Sequence, residues 1–544
     1  MCRDTRNLLE ALRRGADPLG NALIDAVLAH RISRRALLRQ ASVIGLSAPV
    51  LGWGAARAAA PGGTIRVGHM APQGSLEPVK SADPGAFTQL AICGEYLCTV
   101  GADFTLRPGL AESWSANPDG SIWTFKIRKG VTFHSGRPMT ATDVVASFDR
   151  LSDPDNDSNA LTAFNGVLSK GGARAVDDAT VAFHLEAPLG QFPYLVSSDT
   201  PNAIILPADY RGDYEANHLA TGPFKLELST PGVGASFLRN TDYWGPRATP
   251  ERLEVTFFSD EKALVDALLA DQIDIMASLS TRAAAALVGN PTVDIISVPS
   301  SAHTQVHMRT DLDPFKDPRV RRAVALTLDR PGLTQGLFGG RARIGNDSPF
   351  AAIYPSTDTS VPQRARDLAQ ARQLLEAAGL TSGFSAELTS QTYQEIPDYA
   401  LAIQHAVAEI GVKLTITALE PTSYFASGVF GKSPWLDCAM GITDYVHHAI
   451  PHAHLMAPLR SDGAWNAARY RNPVYDKHVA SYSAAVDLDS QRRAAADIQK
   501  TLLDDTPVIF GYFADALAAV RKGVTGVVFA PQGQVWLAGA SFAR

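Results

Sequence analysis

Four histidines stand close together near residue 450 and could bind a metal ion or haem. His448 and His452 have the i, i+4 spacing of one helix face, while His452 and His454 have the i, i+2 spacing of one strand face. Pro451 interrupts a regular helix here. The alternative interpretation is a polar surface loop. The full set of candidate metal ligands is His447, His448, His452 and His454.

Metal-dependent hydrolysis is the catalytic chemistry that these histidines could support. A catalytic zinc site needs three well-placed ligands and an activating carboxylate, and the local carboxylates are Asp437 and Asp444. The sequence contains neither a His-Glu-x-x-His pair nor a nucleophile elbow. We therefore expect a protein that is not an enzyme and that carries no cofactor.

Asp444 and Tyr445 follow an apolar stretch that reads as a buried strand. Open α/β sheets bind ligands beyond the carboxyl ends of their strands, so this position suits a ligand contact. A carboxylate there would favour a cation or an amine through a charge-assisted hydrogen bond. A turn or helix-cap acid is the other interpretation of Asp444.

Further side chains could form the walls of a binding site. Tyr393, Trp465 and Asn466 are candidates, although Trp465 would suit core packing equally well. Arg309 and Arg469 could each bind a ligand carboxylate, and the sequence does not choose between them.

Strands and helices must position these residues, and residues 108–151 show the clearest pattern. Trp123, Phe125 and Ile127 alternate with polar residues, which predicts a strand with one buried face. Thr140, with Asp143 three positions later, predicts a helix start. Strands alternate with helices farther along the chain, which predicts a mostly parallel sheet. A helix at 317–330 should carry solvated or cap-pairing charges on Arg319, Arg321, Arg322 and Arg330.

Several segments together resemble the signature of family 5 solute-binding proteins of ABC transporters, which include dipeptide, oligopeptide and nickel binders. The longest match joins LAESW at 110–114, NPDG at 117–120, WTFKIRKGVTFHSG at 123–136 and TATDVVASF at 140–148. Shorter matches follow at 221–226, 240–244, 317–323, 410–414 and 470–473.

The resemblance implies an α/β, two-lobed periplasmic-binding-protein type II fold with an additional inserted subdomain. Lobe I would comprise residues 61–75, 215–300 and 506–544. The inserted subdomain would be 76–214 and contain the signature, and lobe II would be 301–505.

The resemblance also implies a function. A periplasmic receptor of this kind would capture short peptides or a related amine-bearing solute and deliver it to an ABC permease. A receptor for nickel, another metal complex or haem, using residues 447–454, is the alternative. Peptide-binding relatives have an aspartate that pairs with the ligand's α-ammonium group, and Asp444 matches it, although Ile442 replaces the usual Trp. His69 lies in a loop that the family places at the mouth between the lobes.

Residues 1–60 have the features of a twin-arginine export signal with a long leader. Arg34 and Arg35 precede a moderately apolar run, and small residues at 58–60 suit cleavage after Ala58 or Ala60. The run is shorter than the roughly 20 residues that a membrane-spanning helix needs. We expect export by the twin-arginine translocase to the periplasm.

Composition argues against nucleic acid as a partner. The formal charge of the whole chain is −6, and residues 1–60 hold nine Arg against four acidic residues, so the remainder is more acidic still. At 544 residues the chain is also too long for one hydrophobic core.

Overall fold

The computed structural model describes residues 63–543 of the chain. The predicted export signal and its cleavage site therefore lie outside the described residues. In the part that is described, no helix is both long enough and apolar enough to cross a membrane.

Short strands make up most of the regular structure. In chain order they are β1 (Thr64–Met70), β2 (Cys98–Val100), β3 (Leu106–Pro108), β4 (Ala111–Ala116), β5 (Ile122–Ile127), β6 (Ala173–Asp177), β7 (Thr180–His184), β8 (Phe224–Thr230), β9 (Gly234–Arg239), β10 (Arg252–Phe258), β11 (Ile275–Met276), β12 (Val293–Val298), β13 (His303–Met308), β14 (Ala342–Ile344), β15 (Ser385–Gln391), β16 (Lys413–Leu419), β17 (Met440–Tyr445), β18 (Val508–Ala514), β19 (Ala516–Arg521), β20 (Val524–Thr525), β21 (Val528–Phe529), β22 (Val535–Trp536) and β23 (Ser541–Phe542).

Helices connect many of these strands. They are α1 (Pro84–Cys93), α2 (Ala141–Ser152), α3 (Leu161–Phe164), α4 (Phe192–Leu195), α5 (Tyr214–Asn217), α6 (Glu261–Leu269), α7 (Thr281–Leu287), α8 (Pro318–Leu326), α9 (Arg330–Phe338), α10 (Leu368–Ala377), α11 (Ile396–Ala408), α12 (Pro421–Phe425), α13 (Pro434–Asp437), α14 (His452–Met456), α15 (Pro473–Ala484) and α16 (Leu488–Asp505), with a 3-10 turn at Pro154–Asn156.

Two large sheets form the two lobes. The first has seven strands in the order β12-β19-β11-β1-β10-β9-β8, and the second has six in the order β14-β18-β13-β17-β15-β16. Strand β1 lies between β10 and β11, parallel to both, and buries Ile65 and Val67. The fold is thus α/β and two-lobed, as predicted.

The prediction of mostly parallel sheets was wrong. In the six-stranded sheet β15 is parallel to β16 and β17, but β13 is antiparallel to both β17 and β18. In the seven-stranded sheet β19 is antiparallel to β11 and β12. The chain passes from the first sheet to the second between β12 and β13, and it returns between β18 and β19. Because β12 pairs with β19 and β13 pairs with β18, the strands of each pair run in opposite directions.

Residues between β1 and β8 build a four-stranded sheet of their own, in the order β4-β5-β7-β6. The predicted alternation is confirmed there, since Trp123, Phe125 and Ile127 are all buried. The predicted helix start is also confirmed, because α2 begins at Ala141 and Asp143 accepts a hydrogen bond from the Thr140 N–H at 2.8 Å. We call residues 76–214 the inserted subdomain.

Two crossing segments join the lobes side by side. One links β12 to β13, and the other is Asp515, which lies between β18 and β19. Ser300 Oγ donates to the Ala514 carbonyl at 2.8 Å, and Ser297 Oγ donates to the Asp515 carboxylate at 2.6 Å. The return to lobe I therefore falls at Asp515. The predicted boundary at residue 506 was too early, because β18 belongs to the six-stranded sheet.

Candidate ligand-binding site

Polar side chains meet at one edge of the six-stranded sheet. β15 and β17 run parallel, so their carboxyl ends, Gln391 and Tyr445, reach the same edge. The Gln391 side-chain amide donates a hydrogen bond to the Asp444 carboxylate. Thr304 of β13 lies directly opposite Asp444 in the antiparallel pair. The structure thus places Asp444 at the edge where open sheets bind ligands.

The electrostatics of Asp444 favour a positively charged ligand. Burial raises the pKa of Asp444, and the hydrogen bond from Gln391 only partly opposes this effect. Within residues 63–543, Asp444 forms no ion pair with a Lys or Arg side chain. A desolvated carboxylate without a cationic partner is costly, so an ammonium group placed beside it would stabilise its ionised form.

A second carboxylate, Glu395, stands immediately before helix α11 near the same edge. Its Oε1 accepts a hydrogen bond from the Tyr512 hydroxyl at 2.9 Å and lies 3.4 Å from Thr304 Oγ1. Thr304 is the cross-strand neighbour of Asp444, so the two acids belong to one polar region. The sequence analysis missed Glu395 because an acid before a helix reads as a favourable helix-terminal charge.

Tyr445 stacks on a buried histidine that the sequence analysis did not select. Its ring lies 5.3 Å from the ring of His303, with an angle of 16° between the planes. His454 packs 4.8 Å from His303, and His448 packs 5.0 Å from His454. Burial lowers the pKa of His303 to about 4 and also lowers the pKa values of His448 and His454. Neutral imidazoles and a tyrosine therefore form an aromatic wall on the face of the sheet opposite Asp444.

The four candidate metal ligands do not converge on one point. His447 faces Asp199 and Ser301, whereas His452 lies 3.3 Å from Ser483 Oγ. His448 and His454 belong to the aromatic wall. No group of three or more His, Cys, Asp or Glu side chains in the described chain is arranged to hold a metal ion.

Tyr393 follows β15 and lies near the same edge as Asp444. Tyr393 is 43% exposed, and the Gln394 side-chain amide donates a hydrogen bond to its hydroxyl at 2.6 Å. A contact between Tyr393 and a ligand stays a prediction that this position permits.

Trp465 and Asn466 lie toward the opposite end of the sheet. Trp465 packs 6.5 Å from Trp435, which precedes β17. Asn466 is buried, and its amide donates to the carbonyls of Arg460 and Tyr470 at 3.0 and 2.8 Å. Met440, at the start of β17, and Asp444 are four residue steps apart, which is about 13 Å along the strand. The structure does not bring these two residues to the Asp444 edge.

The two arginine candidates are also remote from Asp444. Arg309 follows β13, which runs antiparallel to β17, and it pairs with Asp311 at 2.6 Å. Arg469 pairs with Asp437 at 3.1 Å and stacks on Phe430. Their charges are already partnered at the far end of the sheet.

His69 lies inside β1, not in the loop where it was expected. Its ring is buried, Nδ1 lies 2.8 Å from the Met70 carbonyl, and Nε2 lies 3.0 Å from the Gln89 side-chain amide. Burial lowers the pKa of His69 to about 4, so the ring is neutral. Both ring nitrogens already have partners, and the ring therefore packs in the interior of lobe I.

Comparison with known proteins finds relatives that match most of the chain. The family model for bacterial extracellular solute-binding proteins, family 5 Middle, matches residues 105–463. The glutathione-binding protein GsiB of Escherichia coli O1:K1 is 26% identical over 447 residues, covering 79% of this chain and 85% of the relative.

Solved structures have the same fold. HbpA2 from Haemophilus parasuis gives a TM-score of 0.78 at 23% identity and covers 88% of this chain and 100% of its own. The periplasmic binding protein DppA from Helicobacter pylori, in complex with the peptide STSA, gives 0.66 at 21% identity and covers 88% and 98%. With the family model matching most of its length, this chain belongs to family 5 of the bacterial extracellular solute-binding proteins, the substrate receptors of ABC importers.

Proposed function

We propose that the protein captures short peptides or related amine-bearing solutes between its lobes and delivers them to an ABC permease. The observation that carries this proposal is the desolvated Asp444 carboxylate, which has an amide donor but no cationic partner among the described residues. An α-ammonium group would supply the missing charge through a charge-assisted hydrogen bond. The names of the relatives, one binding glutathione and one complexed with a peptide, are consistent with a ligand of this class.

The first test is to identify the molecules that the exported protein carries. Native mass spectrometry followed by mild denaturation should release short peptides or other amines with unchanged covalent structure. Cleaved peptides would contradict a receptor that performs no catalysis. Release of solutes that lack any amine would contradict the proposed ligand class.

The second test removes the charge of Asp444. We expect Asp444→Asn to weaken binding of the identified amine by at least tenfold, since hydrogen bonds to charged groups contribute about 1.5–3 kcal/mol. Asp398→Asn is the matched control because Asp398 is an exposed acid on α11 in the same lobe. Unchanged affinity in Asp444→Asn would exclude Asp444 as the anchor.

The same anchor predicts how binding depends on pH. Because burial raises the pKa of Asp444, protons compete with the ligand ammonium as the pH falls toward that pKa. Affinity measured by calorimetry should therefore decrease on acidification in the native protein. In Asp444→Asn this part of the pH dependence should disappear.

The route of export completes the proposal. Arg34, Arg35 and the small residues near Ala58–Ala60 support translocation of the folded protein by the twin-arginine translocase into the periplasm, with removal of the signal. Sequencing the N-terminus of the periplasmic protein would locate the cleavage. Replacing both arginines with lysine should leave the precursor in the cytoplasm, and export of that variant would contradict the proposed route.

A further inference from the structure

The chain that follows the ligand edge of β17 enters the core of the inserted subdomain. Ile450 is buried within the hydrophobic cluster that contains the signature residues Phe125 and Phe148. The ring of His447 lies 5.9 Å from that of Phe104, another residue of the subdomain. Residues 446–451 therefore connect the predicted ligand contacts directly to a different structural unit.

Polar contacts reinforce this connection at a buried junction. His447 Nε2 lies 3.4 Å from Asp199 Oδ1, and the Ala449 N–H donates to Asp199 Oδ2 at 2.7 Å. Gln532, from the C-terminal part of the chain, donates to the backbone carbonyls of Asp199 and His447, both at 3.0 Å. Asp199 and His447 are only 8% and 4% exposed. Three separate parts of the chain thus meet at His447.

The hydrogen bonds of His447 define its tautomer. The Ser301 backbone N–H lies 3.0 Å from His447 Nδ1, and a backbone N–H can only donate. Nδ1 is therefore the acceptor, and Nε2 carries the ring proton, directed toward Asp199. Burial raises the pKa of Asp199, but its interaction with His447 and the hydrogen bond from the Ala449 N–H act in the opposite direction, and the pKa is lowered overall.

Ser301 lies in the crossing segment between β12 and β13. One imidazole therefore contacts the crossing segment through Nδ1 and the inserted subdomain through Nε2. His447 is also close in sequence to Asp444 and Tyr445. A movement of the ligand edge relative to the subdomain must either carry His447 with it or break its contact with Asp199.

We propose that the Asp199–His447 pair positions the ligand edge of lobe II against the inserted subdomain and controls how readily the lobes close. This inference rests on the proposed receptor function and adds positioning residues to it. A ligand loses less binding free energy when the surfaces that enclose it are already held in place. Breaking the pair should widen the range of lobe orientations in the free protein and weaken capture.

Two substitutions at His447 separate its two contacts. His447→Asn keeps an oxygen near the Nδ1 position, where it can accept from Ser301, but the side chain is too short to reach Asp199. His447→Gln places an amide near the Nε2 position, where it can donate to Asp199, but it gives up the Ser301 contact. Asp199→Asn is a further variant. The asparagine oxygen can accept from only one of the two donors, and its NH2 group would face the other donor, either the Ala449 N–H or the His447 Nε2–H, with which it cannot form a hydrogen bond.

The experiment measures distances between the lobes by double electron–electron resonance. Spin labels at Val176→Cys in the inserted subdomain and Leu401→Cys in lobe II would report relative motion, since Val176 and Leu401 are 64% and 47% exposed. A Cys438→Ser background removes the one cysteine within residues 63–543 that is not fully buried. Glutathione and tri-alanine serve as ligand probes.

The inference predicts a broader distance distribution in His447→Asn and Asp199→Asn than in the native protein or in His447→Gln. For a probe that the native protein binds, affinity should fall about tenfold in His447→Asn and change less than about twofold in His447→Gln. A native-like distribution in folded His447→Asn and Asp199→Asn would overturn the inference. If neither probe binds the native protein, that result counts against the proposed ligand class, and the distances alone decide the inference.

Discussion

At the scale of single residues, burial determines the charge states around the ligand edge. Burial raises the pKa of Asp444 and lowers the pKa values of the histidines behind Tyr445. In both cases the low-polarity surroundings disfavour the charged form. An acid that lacks a Lys or Arg partner among the described residues and a wall of neutral rings thus lie on opposite faces at the end of β17.

The buried histidines should make the protein sensitive to acid. Burial lowers the pKa values of His69, His303 and His307 to about 4 in the folded protein, against 6.5 for the unperturbed side chain. The unfolded chain thus binds more protons between these values, so this stabilisation is complete above pH 6.5 and is lost as the pH falls toward 4. Each histidine accounts for about 3 kcal/mol of that loss.

His303→Phe tests this prediction at one position. Its ring should still pack against Phe510 and Phe513, although it loses the hydrogen bond to the Ser301 carbonyl. The difference in melting temperature between pH 7 and pH 5, measured by calorimetry, should become smaller than in the native protein. His405→Gln is the control because His405 is exposed on α11, and it should leave the difference unchanged. If the melting temperature of His303→Phe differed between pH 7 and pH 5 as much as that of the native protein, buried His303 would not be a source of the acid sensitivity.

At the scale of elements, one buried aspartate joins helix α9, strand β18 and the loop that follows β14. Asp347 accepts hydrogen bonds from Arg330 at 2.7 Å, from Arg364 at 2.6 Å and from the Phe510 N–H at 3.1 Å. Arg330 is almost fully buried, so the expectation of a solvated or cap-pairing charge was wrong for it. Arg321 is buried as well and donates to backbone carbonyls, including that of Phe315 at 2.6 Å.

Asp347→Asn should destabilise lobe II strongly. The substitution leaves the charges of Arg330 and Arg364 buried without a counter-ion, and breaking a buried pair in this way costs about 3–5 kcal/mol. Urea unfolding monitored in lobe II would measure the loss. Asp103→Asn is the comparison, because Asp103 pairs with Arg107 on the surface and its loss should cost far less. Equal effects of the two substitutions would refute the argument.

The elements themselves were largely predictable where their signals are local. Trp123, Phe125 and Ile127 alternate in the chain and are buried in β5, and Thr140 marks the start of α2. Contacts between distant residues carry no comparable signal. Nothing near Asp444 in sequence indicates Gln391, and nothing near His447 indicates Asp199, because these pairs form only when separate strands and subdomains pack together.

At the scale of the whole molecule, the inserted subdomain contacts lobe II at a second place. The Gly190 N–H donates to the Ser483 carbonyl at 2.7 Å, and the Gln191 side-chain amide donates to the Tyr482 hydroxyl at 2.9 Å. Ser483 and Tyr482 belong to the end of α15. Together with the Asp199–His447 junction, this contact holds the subdomain against lobe II at two separate points.

Gly190 permits this second contact because it has no side chain. A Cβ atom at Gly190 would lie 1.8 Å from the Ala485 carbonyl oxygen, so Gly190→Ala must push the two units apart. Overpacking of this kind costs about 1–3 kcal/mol. Gly74→Ala is the matched control, because no atom lies within 4 Å of the corresponding Cβ position.

Calorimetry distinguishes a local strain from a loss of coupling between the units. Units that stabilise one another through an interface unfold together, and weakening the interface lets the less stable unit unfold at a lower temperature. We expect Gly190→Ala to split or broaden the unfolding transition, while Gly74→Ala keeps the native profile. A single transition of native width, merely shifted in temperature, would mean that the Gly190 contact contributes stability without linking the inserted subdomain to lobe II.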